Sequence, residues 1–272
     1  MEPALVTSGN NRWVRLARAL ATSHGRDKHQ AFLVEGVRAV SAVIALEQAL
    51  VVLVDNDQLH RESLVELLHK ANEVPVIRVS TAVFLTLCDT QTPQGVLAVV
   101  KDIAIPLAPL LALAPRLVVV SASIQDPGNL GTLVRIADAV GAGAVVATRG
   151  TVDLYNPKVV RATMGSLFHL PVCRDVEDGA LIDELSRRGY SIVAADVQGA
   201  IAHYDLAYRP PLAVVFGNEG SGLPSLWREH AELVRIPMPG RAESLNVSVA
   251  AGVLLYEVHR QWGSQLPILP CR

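Results

Sequence analysis

Three short stretches of this chain hold side chains able to do chemistry. The first runs Ser121-Ala-Ser-Ile-Gln-Asp126-Pro-Gly-Asn129, with Arg135 six positions beyond the asparagine. The second, Gly217-Asn218-Glu219-Gly-Ser-Gly222, sets a carboxylate in a turn with three glycines, which permit positive φ and close backbone approach to a ligand. The third is Ile236-Pro-Met238-Pro-Gly240-Arg-Ala-Glu-Ser244-Leu245-Asn246-Val-Ser248. The side chains on offer are a guanidinium, a carboxylate, carboxamides and hydroxyls, and no metal-ligand spacing accompanies them. The glycine order is GxxGxG. It lacks the Gly-Lys-Ser/Thr of a phosphate loop and is not the dinucleotide fingerprint GxGxxG. A nicotinamide-dependent oxidoreductase would also need an acid about 20 residues after that fingerprint, and none is evident. Singly, each stretch reads equally well as a routine cap or turn.

Each stretch follows an apolar run of strand length. Leu117 to Ser121, Ala144 to Thr148, Ser191 to Ala195, Leu212 to Phe216 and Leu233 to Ile236 are nearly continuous Val, Leu, Ile and Ala, as expected for parallel strands buried on both faces. Helices are expected between them at Leu130 to Val140, Pro157 to Phe168, Ala180 to Arg188 and Pro224 to His230, with a long last helix from about Leu245 to Trp262. This pattern predicts an open, doubly wound sheet, whose ligands sit beyond the carboxyl ends of the strands. Leu130, Leu133, Val134 and Ala137 form the stripe that packs on the sheet, and Arg135 lies about 200° around from Leu133, toward a cleft or solvent. Asn129 and Ser244 are placed to cap the helices that follow them.

Upstream, helix and strand also alternate. Asn11 to Leu20, Arg38 to Leu46, Arg61 to Ala71 and Thr81 to Leu87 read as helices, and Val51 to Asp55, Val74 to Val79 and Gly95 to Val100 as strands. The expected organisation is a small α/β domain over 1–102, a proline-rich linker over 103–115 and a larger α/β domain over 116–272.

Bulk composition narrows the classes. Of 272 residues, 50% are hydrophobic and 18% charged, so the chain can build buried cores and is not of disordered type. No uncharged apolar run reaches the roughly 18–20 residues of a membrane span, and no basic segment followed by an apolar one opens the chain. Cys88, Cys173 and Cys271 form no CxxC pair, so neither a disulfide framework nor a zinc site is expected, and a reducing cytoplasm fits. With a net charge of −2, a nucleic-acid partner would need a local basic surface. Between Arg12 and Arg38 six basic residues (Arg12, Arg15, Arg18, Arg26, Lys28, Arg38) face two acids, Asp27 and Glu35.

In combination the three stretches are specific. Asn-x5-Arg, then Phe-Gly-Asn-Glu-Gly-x-Gly-Leu, then Ile-Pro-Met-x-Gly-x6-Asn-Val-Ser resembles the three signature motifs of the SpoU (TrmH) family of RNA 2′-O-ribose methyltransferases. Asn156-Pro-Lys-Val-Val-Arg161-Ala-Thr-Met-Gly165 resembles the family's intervening helix, with Thr163 where relatives often have Ser. Phe32-Leu-Val-Glu35-Gly36 and Thr92-Pro-Gln-Gly95 resemble its N-terminal substrate-binding domain, similar to a ribosomal RNA-binding protein. The resemblance covers nearly the whole chain.

It implies a mostly parallel C-terminal sheet with a deep trefoil knot, S-adenosylmethionine as methyl donor, a homodimer formed through the C-terminal domain, and no metal or membrane. By position, Asn129, Arg135, Glu219, Ser244 and Asn246 match the family's catalytic cluster. Gly217, Asn218, Ile236, Met238 and Leu245 match the donor site, and Arg135 is expected to reach the donor of its own or the partner subunit. The expected substrate is a ribose 2′-hydroxyl, in ribosomal RNA first and transfer RNA second, held by Arg12, Arg15, Arg18, Arg26 and Lys28. A relative that binds RNA without catalysis is the alternative from a different class. A guanidinium with a pKa above about 12 is a poor base. Arg135 is therefore expected to grip a phosphate and stabilise a developing alkoxide, with Glu219, or a water it orients, accepting the proton.

Overall fold

The computed structural model describes residues 5–71 and 74–263, and Cys271 lies outside them. The chain divides into two compact units, one comprising 1–102 together with 155–168, the other 103–154 with 169–272.

The first unit opens with α1 (Arg12–Ala19) and α2 (Ser23–His29), followed by β1 (Ala31–Glu35), α3 (Val37–Ala45), β2 (Ala49–Asp55), α4 (Glu62–Lys70), β3 (Val76–Val79), α5 (Thr81–Leu85) and β4 (Val96–Lys101). Its sheet has the order β1-β4-β2-β3, with β4 antiparallel to both neighbours and β3 parallel to β2. Two elements are additions to the sequence reading. In α2 the run Ser-His-Gly-Arg-Asp-Lys-His has low helix propensity, yet the Thr22 hydroxyl accepts the Gly25 N–H and a left-handed Gln30 closes the helix. A Cβ at Gly25 would lie 1.8 Å from the Ala19 carbonyl oxygen, so only glycine permits this close turn. The second, β1, is an apolar run too short for its periodicity to show. Segment 155–168 adds Tyr155, whose ring stacks on Phe32 at 4.1 Å, and the buried Thr163, whose hydroxyl donates to the Val160 carbonyl.

The second unit begins within the proline-rich stretch, which the sequence suggested as a linker. Residues there form α6 (Leu107–Ala112), and Leu110 and Leu111 are fully enclosed in the unit's core. Then come β5 (Leu117–Ser121), α7 (Pro127–Ala139), β6 (Ala144–Thr148), α8 (Pro157–Ala162, in the segment belonging to the first unit), β7 (Val172–Val176), α9 (Asp178–Arg187), β8 (Ser191–Ala195), β9 (Ile201–Ala202), β10 (Leu212–Phe216), α10 (Ser225–His230), β11 (Glu232–Arg235) and α11 (Val247–Trp262). All seven strands are parallel, in the order β7-β6-β5-β10-β8-β11-β9. Strands β5, β6 and β10 are buried at every position, matching their unbroken apolar runs. The outer strands β7 and β9 escaped the sequence reading, because β7 carries Arg174 and Asp175 and β9 is two residues long. Leu130, Leu133, Val134 and Ala137 are all buried on α7, as their spacing predicts. No described helix is long and apolar enough to cross a membrane.

Candidate active site

The carboxyl ends of β10, β8 and β11 lie side by side and open into one cavity of about 350 Å³. Its walls are supplied by Ala195–Val197 after β8, by Phe216–Gly220 with Gly222 and Leu223 after β10, and by Ile236, Met238 and Ser244–Val247 after β11, with Ala250 and Leu254 of α11 closing one side. The size falls within the roughly 300–1,000 Å³ of small-molecule sites, and the position is the one a parallel sheet offers its ligands.

The glycine-rich turn is closed on itself. Asn218 N–H donates to the Gly222 carbonyl at 2.9 Å and Gly222 N–H returns to Asn218 at 3.0 Å. A Cβ on Gly217 would stand 2.6 Å from that Gly222 oxygen, so the turn can form only with glycine there. Inside it the Asn218 side chain accepts the N–H groups of Gly220 and Ser221 and donates to the Ser123 carbonyl, tying the turn to the loop after β5.

That tie follows from strand register. Phe216 of β10 pairs with Ser121 of β5, so the two loops leave the sheet together. Glu219 then reaches the first loop: its carboxylate accepts the Asn129 Nδ2 at 2.9 Å and the backbone N–H groups of Gln125 and Asp126 at 3.2 and 3.3 Å. The Asn129 oxygen in turn accepts Asn246 Nδ2 at 2.9 Å, and the Asn246 oxygen accepts the N–H groups of Ser248 and Val249 at the start of α11. One hydrogen-bonded chain thus joins all three loops. Partial burial pushes the Glu219 pKa up, but the donations from Asn129, from its own backbone N–H, and from Gln125 and Asp126 outweigh this and hold it below the usual carboxylate range.

Two capping expectations need correction. The cap of α7 is Asp126, followed by Pro127, so Asn129 sits inside the first turn with its side chain free to bridge to Glu219. The cap of α11 is Asn246, and Ser244 lies two residues before it in the cavity wall.

Of the catalytic candidates, Glu219, Ser244 and Asn246 line the cavity, and Asn129 is bonded to two of them. Arg135 does not line it; this side chain is exposed on α7 and has no hydrogen-bond or ion-pair partner among the described residues. The five donor-site candidates Gly217, Asn218, Ile236, Met238 and Leu245 all line the cavity. In the first unit Arg12, Arg15, Arg18 and Lys28 are exposed, with Arg18 donating to the Thr86 hydroxyl. Arg26 is different: it is 5% exposed and its Nη1 donates to the Leu20 and Ala21 carbonyls. Its charge closes the α1–α2 corner, which removes it from the phosphate-contacting set. Sequence reasoning missed Asp196 and Arg228, which also line the cavity. Asp196 directly follows β8, so the strand-end rule that found the other loops would have found it.

Comparisons with known proteins match each part of the chain, the larger match running unbroken through 155–168. Residues 116–256 match the SpoU rRNA Methylase family and residues 11–98 an MRM3-like substrate binding domain. The chain is 33% identical over 254 residues to the 23S rRNA (guanosine(2553)-2′-O)-methyltransferase RlmP of Bacillus subtilis, covering 93% of this chain and 98% of that protein. A solved structure of an AdoMet-bound rRNA methyltransferase from Sinorhizobium meliloti is similar with a TM-score of 0.83 and 32% identity, over 97% of this chain and 100% of that one. The SpoU methyltransferase AviRb from Streptomyces viridochromogenes, solved in complex with AdoMet, gives 0.82 and 31%, over 93% of this chain and 98% of that one.

Proposed function

Because this chain belongs to the SpoU rRNA methylase family, we propose that it transfers a methyl group from S-adenosylmethionine to a ribose 2′-hydroxyl of ribosomal RNA. The observation that carries the proposal is the hydrogen-bonded chain Glu219–Asn129–Asn246 at the mouth of the strand-end cavity. Ribosomal rather than transfer RNA is favoured because the full-length relative described above is named for 23S rRNA.

The cavity fits an adenosine-bearing donor. Ile236, Leu245, Ala250 and Leu254 offer an apolar slot for a flat base, and the turn at Gly217 brings backbone groups to its edge. When bound, the donor supplies an electrophilic sulfonium methyl. Every other contribution comes from this chain and its RNA. The reaction forms one bond from the 2′-oxygen to the methyl carbon and breaks one carbon–sulfur bond, while the hydroxyl proton leaves. Asn129, Asn246 and Ser244 orient the attacking group, and alignment of this kind supplies much of the rate. Glu219 fixes Asn129 in place. With its pKa held low it stays ionised and orients a water through which the proton passes to solvent. Arg135 binds the neighbouring phosphate and stabilises the developing alkoxide.

Arg135 is exposed and outside its own chain's cavity, which supports action on the donor held by a second copy. An exposed apolar stripe of Val249, Val253 and Tyr256, spaced four and three residues apart on α11, supplies a surface for that copy. The family's trefoil knot is part of this proposal; α11, reached through the loop 236–246, packs back on α7, where Gly252 faces Ile136. The exposed Arg12, Arg15, Arg18 and Lys28 are proposed to contact RNA phosphates, and a cytoplasmic location follows from that substrate. Mapping ribose methylation on ribosomal RNA from cells with and without the protein tests the reading, and an unchanged map would reject it.

A further inference from the structure

We propose that Arg228 and Asp196 are positioning residues that latch the glycine-rich turn to the end of β8 and so set the affinity of the cavity for its methyl donor. The inference rests on the donor reading above and concerns residues outside the three signature loops. Asp196 follows β8 directly, and its side chain is 2% exposed. One carboxylate oxygen accepts the Gln198 N–H at 2.8 Å, and the other forms an ion pair with Arg228 Nη1 at 2.7 Å. Arg228 also donates from Nε to the Leu223 carbonyl at 3.3 Å, and its Nη2 stands over Gly222, where an added Cβ would lie at 3.4 Å. The same guanidinium therefore holds both the exit of the turn and the strand end beside it.

The base from which it does so is rigid. Arg228 lies on α10 next to Trp227, which is fully buried and donates its indole N–H to Asp178 at 2.8 Å. Gly222 is left-handed at φ +72, a conformation that glycine can leave freely, so the turn's exit depends on Leu223 being held. Releasing Arg228 leaves the Asp196 carboxylate poorly compensated in a buried wall, and neutralising Asp196 frees the guanidinium from the strand end. The wall then loosens, and ordering it becomes a cost of donor binding, which weakens affinity rather than chemistry. Neither residue hydrogen-bonds to Glu219, Asn129 or Asn246.

The test uses Asp196→Asn, Arg228→Gln and Arg228→Lys in the full chain, with two readouts. In the donor-free protein, amide exchange at Asn218 and Gly222, whose N–H groups close the turn, is expected to accelerate in all three variants, least in Arg228→Lys. By calorimetry with S-adenosylmethionine and S-adenosylhomocysteine, Kd is expected to rise about tenfold or more in Asp196→Asn and Arg228→Gln, with KM for the donor following. At saturating donor, kcat is expected to fall by no more than about threefold. Wild-type exchange in folded variants, or faster exchange with an unchanged Kd, would overturn the proposal, as would a loss confined to kcat. Should Asp196→Asn not fold, the partly exposed Arg228 variants decide the question. A wild-type protein that binds no donor would defeat the methyltransferase reading instead, and the exchange data would still report on the latch.

Discussion

The Asn246 side chain donates to the side-chain oxygen of Asn129 at 2.9 Å, joining residues 117 positions apart. The same Asn246 caps α11, so a single carboxamide both starts the last helix and orients the group that meets Glu219. These two tasks are separable. Asn246→Asp keeps the acceptor for the Ser248 and Val249 N–H groups but removes the donor to Asn129. Its stability is expected to stay near wild type while kcat falls about 10²-fold. Asn246→Ala should lose activity to a similar degree and also about 1 kcal/mol of stability, read by denaturant titration.

Glu219 has its pKa lowered in the folded state, so its stabilising contacts are fully present above the unfolded value near 4.3 and disappear as pH falls through the lower folded value. Donor affinity is therefore expected to be flat from about pH 8 to pH 5 and to decline only in more acid solution. Glu219→Gln should keep the shape of the wild-type kcat profile between about pH 6 and pH 8. A variant that lost a wild-type inflection in that window would return Glu219 to the role of base.

Arg135→Ala is expected to lower kcat by about 10²-fold or more while leaving donor Kd within about twofold. Its subunit of action can be read from mixed dimers with Gly217→Val, whose side chain would collide with the Gly222 carbonyl and prevent the turn from forming. If Arg135 serves the partner's donor, one site in each mixed dimer is intact and about half the activity returns; action within one chain returns none.

Val253→Glu or Tyr256→Glu places charge in the exposed apolar stripe of α11. Sedimentation is expected to show a shift to monomer with the fold retained by circular dichroism, and activity is expected to fall with it. A monomeric wild-type protein would dismiss this stripe as a subunit interface.

The basic residues of the first unit divide into two kinds. Replacing Arg12, Arg15 and Lys28 with Ala should weaken RNA binding and flatten its salt dependence by about one unit of slope for each phosphate no longer neutralised, with stability unaffected. Arg26→Ala should do the reverse, costing about 1–3 kcal/mol because the Leu20 and Ala21 carbonyls lose a charged donor.

Much of the second unit was legible in the chain. The strands from Leu117, Ala144 and Leu212 end where their apolar runs end, because a parallel strand buried on both faces tolerates no polar interruption. The three loops were legible for the complementary reason: glycine and proline act through their own backbone, and Gly217 or Pro237 means a turn wherever the chain goes. Even the family could be recognised from such local signals in their order.

What the residues could not say alone was which groups meet. Asn129 and Ser244 are good caps by type, but Asp126, three residues earlier, and Asn246, two residues later, hold those places, since helix ends are decided by packing. Arg12 and Arg26 look alike in a count of charges; burial against Leu20 separates them. The bridge from Glu219 through Asn129 to Asn246, and the pairing of Asp196 with Arg228, depend on the register of β10 against β5 and on the placing of β8 between β10 and β11. Local preference acts over a few residues, whereas those registers are set by the packing of the entire sheet, and only the tertiary structure supplies them.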